Sequence, residues 1–240
     1  MNLSGKTAVK DIAVNSPASA EILEKAGVDY CCGGGQSLED ACAGAGVSAE
    51  EILGRLRASA AEARPEDADW AKASLGELTE HIRQKHHAYV REAIPRISTL
   101  LEKVKAKHGA NHPEIAAIEG NFLQLGQEMI AHMQKEEMIL FPYIERLEVS
   151  RREGAGMERP FFQTVRNPIQ MMMHDHDAAG NLAKQIRRAS SGYAPPADAC
   201  ASYQRLYGEL HEFEADLHQH VHLENNLLFP RAVDLENEAR

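Results

Sequence analysis

Two segments of the sequence repeat one another: HMQKEEMILFP at 132–142 and HVHLENNLLFP at 220–230. Each carries a histidine, a glutamate four residues later, and Phe-Pro at the ninth and tenth positions after the histidine. In a helix, residues i and i+4 lie on one face about one turn apart. His132 with Glu136, and His220 with Glu224, therefore present an imidazole and a carboxylate to a common point. That pairing suits metal ions, with imidazole nitrogens as terminal ligands and carboxylates as bridges between two ions. A single H-x-x-x-E is usually a solvated surface pair. Two copies in the same apolar context, each followed by Leu-Phe-Pro, are much harder to assign to chance.

Spacing extends the set. His176 stands 44 residues from both His132 and His220, and 45 residues before His132 lies His87. In an antiparallel bundle of similar helices with short loops, such positions come to one height. His87, His132, Glu136, His176, His220 and Glu224 can then converge on the bundle axis. Four histidines and two glutamates would hold two metal ions, each with two terminal imidazoles, bridged by both carboxylates. The donor set suits non-haem iron, and manganese or zinc remain open to it.

The chain has 12 histidines, the first being His81. A continuous first helix would place His108 about 31 Å along the axis from His87 at 1.5 Å per residue, so His108 is left out of the set. His86, His174 and His222 sit one or two residues from a ligand and read as surface groups or as neighbours of the ligands. His81, His112, His211 and His218 read as solvated. Asp175, Asp177 and Glu128 are candidates to orient a ligand ring through its other N–H.

A second chemistry sits in DYCCGGGQ, where Cys31 and Cys32 are adjacent. Thiolates are soft ligands and nucleophiles, so the pair could hold iron transiently, change redox state or react with nitric oxide. A purely structural role is the alternative. The three glycines would allow unusual backbone angles or the close approach of a partner. Cys42 and Cys200 read as buried small residues.

The elements that must position these groups are helical, and strand-type alternation is scarce. Residues 1–62 read as a small domain of short helices. Ser16-Pro17 starts one that Gly27 ends, Ser37 caps another, and Ser48 with Glu51 forms a capping box for a third. The charged stretch 62–74, with Pro65, reads as a linker. Four long helices follow at about 75–108, 113–149, 160–190 and 197–233, within a second domain at 75–235. Short connections make them an up-down-up-down four-helix bundle, so the fold class is all-α. Pro95, Pro142 and Pro230 would kink or end these helices.

Composition narrows the function. With 26 basic and 36 acidic residues the formal charge is −10, which argues against nucleic acid or an anionic membrane as partner. Four cysteines are too few for a disulfide framework at this length. No signal-type segment opens the chain and no run of 18 apolar residues occurs, so a soluble cytoplasmic protein is expected.

The two H-x-x-x-E motifs with Leu-Phe-Pro, together with DYCCGG, resemble the iron-sulfur cluster repair di-iron proteins (the RIC family), whose bundle is of hemerythrin type. The resemblance spans nearly the whole chain. It implies two non-haem iron ions, carboxylate-bridged, with or without an oxo or hydroxo bridge. It implies the same six ligands, with Cys31 and Cys32 as a thiol relay. The implied function is repair of clusters damaged by nitrosative or oxidative stress through iron donation, with damaged iron-sulfur proteins or a cluster scaffold as partners. A nitric oxide trap or sensor, and a di-iron nitric oxide reductase producing nitrous oxide, are alternatives that use the same ligands. Whether the protein is an enzyme therefore stays open. One departure stands out. Oxygen-carrying hemerythrins resemble H-x-x-x-H on the third helix, whereas here Gly180 follows His176 at i+4 and Met172 precedes it at i−4. A ligand fewer would leave space beside the metal, favouring a small diatomic ligand or iron loss over oxygen carriage.

Overall fold

A computed structural model of the chain describes residues 3–61, 70–154 and 160–238. The N-terminal unit holds four helices: α1 (Val9–Asn15), α2 (Pro17–Lys25), α3 (Leu38–Ala45) and α4 (Ala49–Ala61). Their starts follow the expected chemistry. The Ser16 hydroxyl accepts the Ser19 N–H, with Pro17 at the first helical position, and Ser37 accepts the Asp40 N–H. Gly27 and Gly46, at φ +69° and +72°, adopt the left-handed backbone that turns the chain out of α2 and α3. Ser48 accepts the Glu51 N–H at 3.4 Å. Val9, Ile12, Leu23, Tyr30, Leu38 and Leu56 form a core of this unit's own. Of the expected linker 62–74, residues 62–69 lie outside the described residues.

Three of the four bundle helices change pitch midway, and the third is shorter than the sequence suggests. The first runs through α5 (Leu75–His81), a π turn (Ile82–His87) and α6 (Ala88–His108). The second comprises α7 (Glu114–Lys135), a π turn (Glu136–Leu140) and α8 (Phe141–Glu153). The third is α9 (Arg166–Ala189). The fourth comprises α10 (Ala201–Leu223), a π turn (Glu224–Leu228) and α11 (Phe229–Glu238). The first helix packs on the second and fourth, and the second packs on the third. α5 meets α8 while α6 meets α7, so the first two helices run antiparallel.

None of the three prolines ends its helix. Pro142 and Pro230 each follow a π turn, in which Phe141 and Phe229 bond through their N–H to the carbonyl five residues back. The wider turn lies just ahead of the ring, which would clash with the carbonyl four residues back in a regular helix. Pro95 lies within α6, and its carbonyl accepts the Thr99 hydroxyl at 2.9 Å.

The start of the first bundle helix is over-determined. Ser74 and Glu77 form a reciprocal capping box, and the Glu148 carboxylate of the second helix accepts the Leu75 and Gly76 N–H groups at 2.7 and 3.0 Å. Negative charge there also meets the positive end of the helix dipole. The third helix starts at Arg166 rather than 160 because the Glu236 carboxylate holds the approach, accepting the Val165 N–H and the Thr164 hydroxyl.

Two apolar clusters fill the bundle. One includes Ile97, Leu101, Phe122 and Leu206; the other includes Ile82, Phe141, Ile144 and Leu228. The expected ligands fall between them along each helix, as a polar layer sealed on both sides. Among the described residues no helix is long and apolar enough to cross a membrane.

Candidate metal centre

Each expected ligand comes from a different turn of the bundle. His87 closes the first π turn, His132 lies in the last turns of α7, and Glu136 opens the second π turn. His176 sits midway in α9, His220 near the end of α10, and Glu224 opens the third π turn. All six are at most 1% exposed.

Their donor atoms form two groups of four, each within 4.8 Å: His87, Glu136, His220 and Glu224, and His132, Glu136, His176 and Glu224. Both carboxylates belong to both groups. Glu136 Oε2 lies 3.4 Å from His87 Nε2 and 3.2 Å from His132 Nε2. Glu224 reaches His220 Nε2 through Oε1 and His176 Nε2 through Oε2, each at 3.0 Å. Glutamate thus spans two imidazoles on each side, the arrangement expected of bridges between two cations.

The polar atoms left over fit a cation as well. His87 Nε2, both Glu136 oxygens and Glu224 Oε2 are buried with no hydrogen-bond partner. Burial and the Glu224 charge push the Glu136 carboxyl up, but the His132 and His87 rings outweigh them and hold it below its ordinary value. Two buried carboxylates are costly without compensating positive charge. Cations held between them and the imidazoles would supply it.

The rings are aimed from behind. The Glu137 carboxylate accepts from His87 Nδ1 at 2.7 Å and is itself held by Arg91 at 2.8 Å. Asp175 lies 3.3 Å from His132 Nδ1 and pairs with Lys135. Asn225 Oδ1 accepts from His176 Nδ1 at 2.9 Å. Holding Nδ1–H this way leaves Nε2 as the metal-facing lone pair. Asp175 was among the expected orienting residues. Asp177 is exposed, and Glu128 instead accepts from Gln124. Glu137 and Asn225 were missed, although each directly follows a bridging glutamate in the repeated motif. The second helix thus orients the histidine of the first, and the fourth orients that of the third.

Several other histidines differ from expectation. His218 and His112 are not simply solvated: His218 pairs with Glu24 of α2 at 2.9 Å, and His112 lies 3.1 Å from Asp198. His81 is half-buried and stacks on Trp70. His86 is buried, bonded to Asp216, and its ring is parallel to that of His220. His222 is buried with Asn226 on its Nδ1. His174 and His211 are exposed as expected. Cys42 is buried, whereas Cys200 is only half-buried and contacts His108.

The cysteine loop docks on the bundle beside this centre. Asp29 Oδ1 accepts the N–H groups of Cys31, Cys32 and Gly33 at 3.3, 3.1 and 3.0 Å, and Lys184 of α9 pairs with Oδ2 at 3.1 Å. Burial opposes the Asp29 charge, yet the Gly33 N–H and Lys184 hold its carboxyl down at about 2. None of Gly33, Gly34 or Gly35 has positive φ. The demand is for space: a Cβ on Gly34 would lie 2.7 Å from the Tyr30 carbonyl oxygen and 2.9 Å from Lys10 Cβ. Cys32 Sγ lies 3.9 Å from the His176 carbonyl oxygen, and a Cβ on Gly180 would stand 3.6 Å from it. The Cys32 thiol thus packs against α9 at Gly180, the position four residues after His176. The hydrogen bond from Cys31 lowers the Cys32 thiol, whereas that bond and burial push Cys31 well up. Of the two thiols, Cys32 is the one held lower.

Residues 78–232 match the Hemerythrin HHE cation binding domain, and residues 5–60 match ScdA_N, a domain of unknown function. The probable iron-sulfur cluster repair protein of Haemophilus influenzae is 35% identical over 227 residues, covering 94% of this chain and 96% of that protein. The chain belongs to the iron-sulfur cluster repair family. Family members named iron-sulfur cluster repair protein YtfE, from Enterobacter sp. strain 638 and Escherichia coli O157:H7, are 34% and 35% identical, each covering 93% of this chain and 94% of its own length. Members of the hemerythrin family bind cations through this bundle, consistent with the two donor groups sharing Glu136 and Glu224.

Proposed function

We propose that this protein repairs damaged iron-sulfur clusters by holding iron at a carboxylate-bridged di-iron centre and releasing it to an apo-cluster protein or scaffold. His87 and His220 would serve one ion and His132 and His176 the other, with Glu136 and Glu224 shared. The observation that carries this reading is the membership of both buried carboxylates in both donor groups. The names of its relatives support iron over manganese or zinc.

The chain's own residues divide the work. Glu137 with Arg91, Asp175 with Lys135, and Asn225 fix the ring orientations and keep each Nε2 directed inward. The apolar clusters above and below exclude water from the layer. Cys32, held by the Asp29 turn against α9, places its thiol 3.9 Å from the His176 carbonyl oxygen and is the proposed first receiver of departing iron. The Cys31 thiol, pushed up by its bond to Cys32 and by burial, donates to the Cys32 sulfur at 3.9 Å. The Cys32 thiol packed against α9 at Gly180 supports iron transfer over nitric oxide trapping or reduction.

The protein purified without oxygen should hold about two irons per chain, with a Mössbauer spectrum of a coupled pair. Stoichiometric zinc or manganese in place of iron would overturn the assignment.

A further inference from the structure

Three of the four ligand rings have an acceptor at Nδ1, supplied by Glu137, Asp175 or Asn225. The fourth differs: His220 Nδ1 is buried and has no hydrogen-bond partner among the described residues. Its nearest aromatic neighbour across the bundle on that flank is His86, which no step above uses. The two rings lie 5.6 Å apart between centroids, with their planes 9° from parallel. The His86 side chain is 1% exposed, and its Nδ1 lies 2.8 Å from Asp216 Oδ1. Asp216 stands on α10, four residues before His220. His86 Nε2, like His220 Nδ1, is buried with no partner among the described residues.

The two unpartnered nitrogens are complementary. The Asp216 carboxylate only accepts, so His86 Nδ1 carries the proton of that pair. A second proton, on His86 Nε2, would set a buried cation beside a ligand of a dipositive ion. Nε2 therefore keeps its lone pair. His220 is in the opposite state. Its Nε2 lies 3.0 Å from Glu224 Oε1 and faces the metal layer, so its proton sits on Nδ1. One buried nitrogen has a proton to give, and the other has a lone pair to receive it. Left apart, each forfeits its solvation with nothing in return. Imidazoles joined edge to edge by an N–H···N bond of about 3 Å have centroids about 5 Å apart, close to the observed separation.

We propose that His86 and Asp216 are the positioning residues of the fourth ligand: Asp216 fixes the tautomer of His86, and His86 Nε2 accepts the His220 Nδ1–H. The proposal rests on the di-iron reading above. Through His86, the Asp216 carboxylate raises the basicity of the His220 ring without reaching the ions itself. A histidine that only fills space needs neither a buried carboxylate partner nor a parallel imidazole with the matching unpaired atom. Consecutive residues of the first π turn then do different work. His87 faces the metal layer, and His86 holds a ligand that comes from the fourth helix. All four ligand rings then have an acceptor behind Nδ1.

Proton NMR of the anaerobic full-length protein, loaded with ferrous iron, tests this. The unpaired electrons of the ions shift the N–H signals of ligand imidazoles away from all others, and an N–H without an acceptor exchanges with water too fast to be seen. Wild type should show four shifted, solvent-exchangeable signals, and His86→Met should show three. His86→Gln has nearly the shape of His86→Met but keeps an acceptor, and should recover the fourth signal. Asp216→Asn should move that same signal. In chelator competition His86→Met should bind iron roughly 10–100-fold more weakly than wild type, with most of the loss recovered in His86→Gln. Three signals in wild type, or four in iron-loaded His86→Met, overturn this inference alone. A wild-type protein that takes up no pair of irons overturns the di-iron reading and this inference with it.

Discussion

At the scale of residues, four of the six central side chains were legible because each motif repeats a histidine and a glutamate at helical spacing, and His87 and His176 because they stand 45 and 44 residues from His132. Glu137 and Asn225 stood in the same motifs and were not legible as orienting groups. A regular helix turns residue i+5 well away from the face of residue i, and only the π turn and the neighbouring helix give these two a target. Glu137→Ala and Asn225→Ala should each loosen iron by roughly 10–100-fold in chelator competition while leaving helical content unchanged. Unaltered affinity in both would mean that His87 and His176 are oriented by packing alone. Of the two uses the glycines of the cysteine loop offer, unusual backbone angles and close approach, the structure uses close approach at Gly34. Gly34→Ala should cost about 1–3 kcal/mol in denaturant unfolding. Gly35→Ala, with nothing within 4 Å of its added Cβ, should cost much less.

At the scale of elements, the four long helices and most of the N-terminal caps followed from local signals: Ser at the caps, Gly at the ends, apolar periodicity between. What escaped were features set by distant partners. In 160–165 the chain leaves the helical path at Gln163, whose φ is +70°. The carboxylate of Glu236, more than 70 residues away, captures the Val165 N–H and the Thr164 hydroxyl and also accepts from the buried Tyr143 hydroxyl at 2.8 Å. Removing it in Glu236→Ala leaves those donors without that acceptor. The expected loss is about 2–3 kcal/mol, measured by urea unfolding. Pro142 and Pro230 illustrate the same limit. Their chemistry predicts an interruption, and the chain meets it with a π turn beside each bridging glutamate instead of a break.

At the scale of the whole molecule, the sequence separated a thiol-bearing domain from an imidazole-bearing one, but not how they meet. The contact is polar and specific: Glu24 with His218, Asp29 with Lys184, and the Tyr30 carbonyl accepting from Asn226, the residue after Asn225. Burial opposes charge on His218, yet Glu24 raises it above its ordinary value of 6.5. A folded-state value above the unfolded one stabilises fully below about pH 6.5 and is lost as pH rises through the folded value. The stability difference between wild type and His218→Gln should therefore shrink as pH rises above about 6.5. A difference constant across that range would remove this pair from the docking energetics. The docked arrangement brings the Cys32 thiol beside the His176 backbone, and the proposed repair depends on that proximity and on the shared carboxylates. The most direct test is reactivation of an iron-sulfur enzyme whose cluster has been damaged by nitric oxide, with the anaerobic iron-loaded protein as the iron source. Wild type should restore activity and the Glu136→Ala/Glu224→Ala variant should not. Equal restoration by the two would contradict the account.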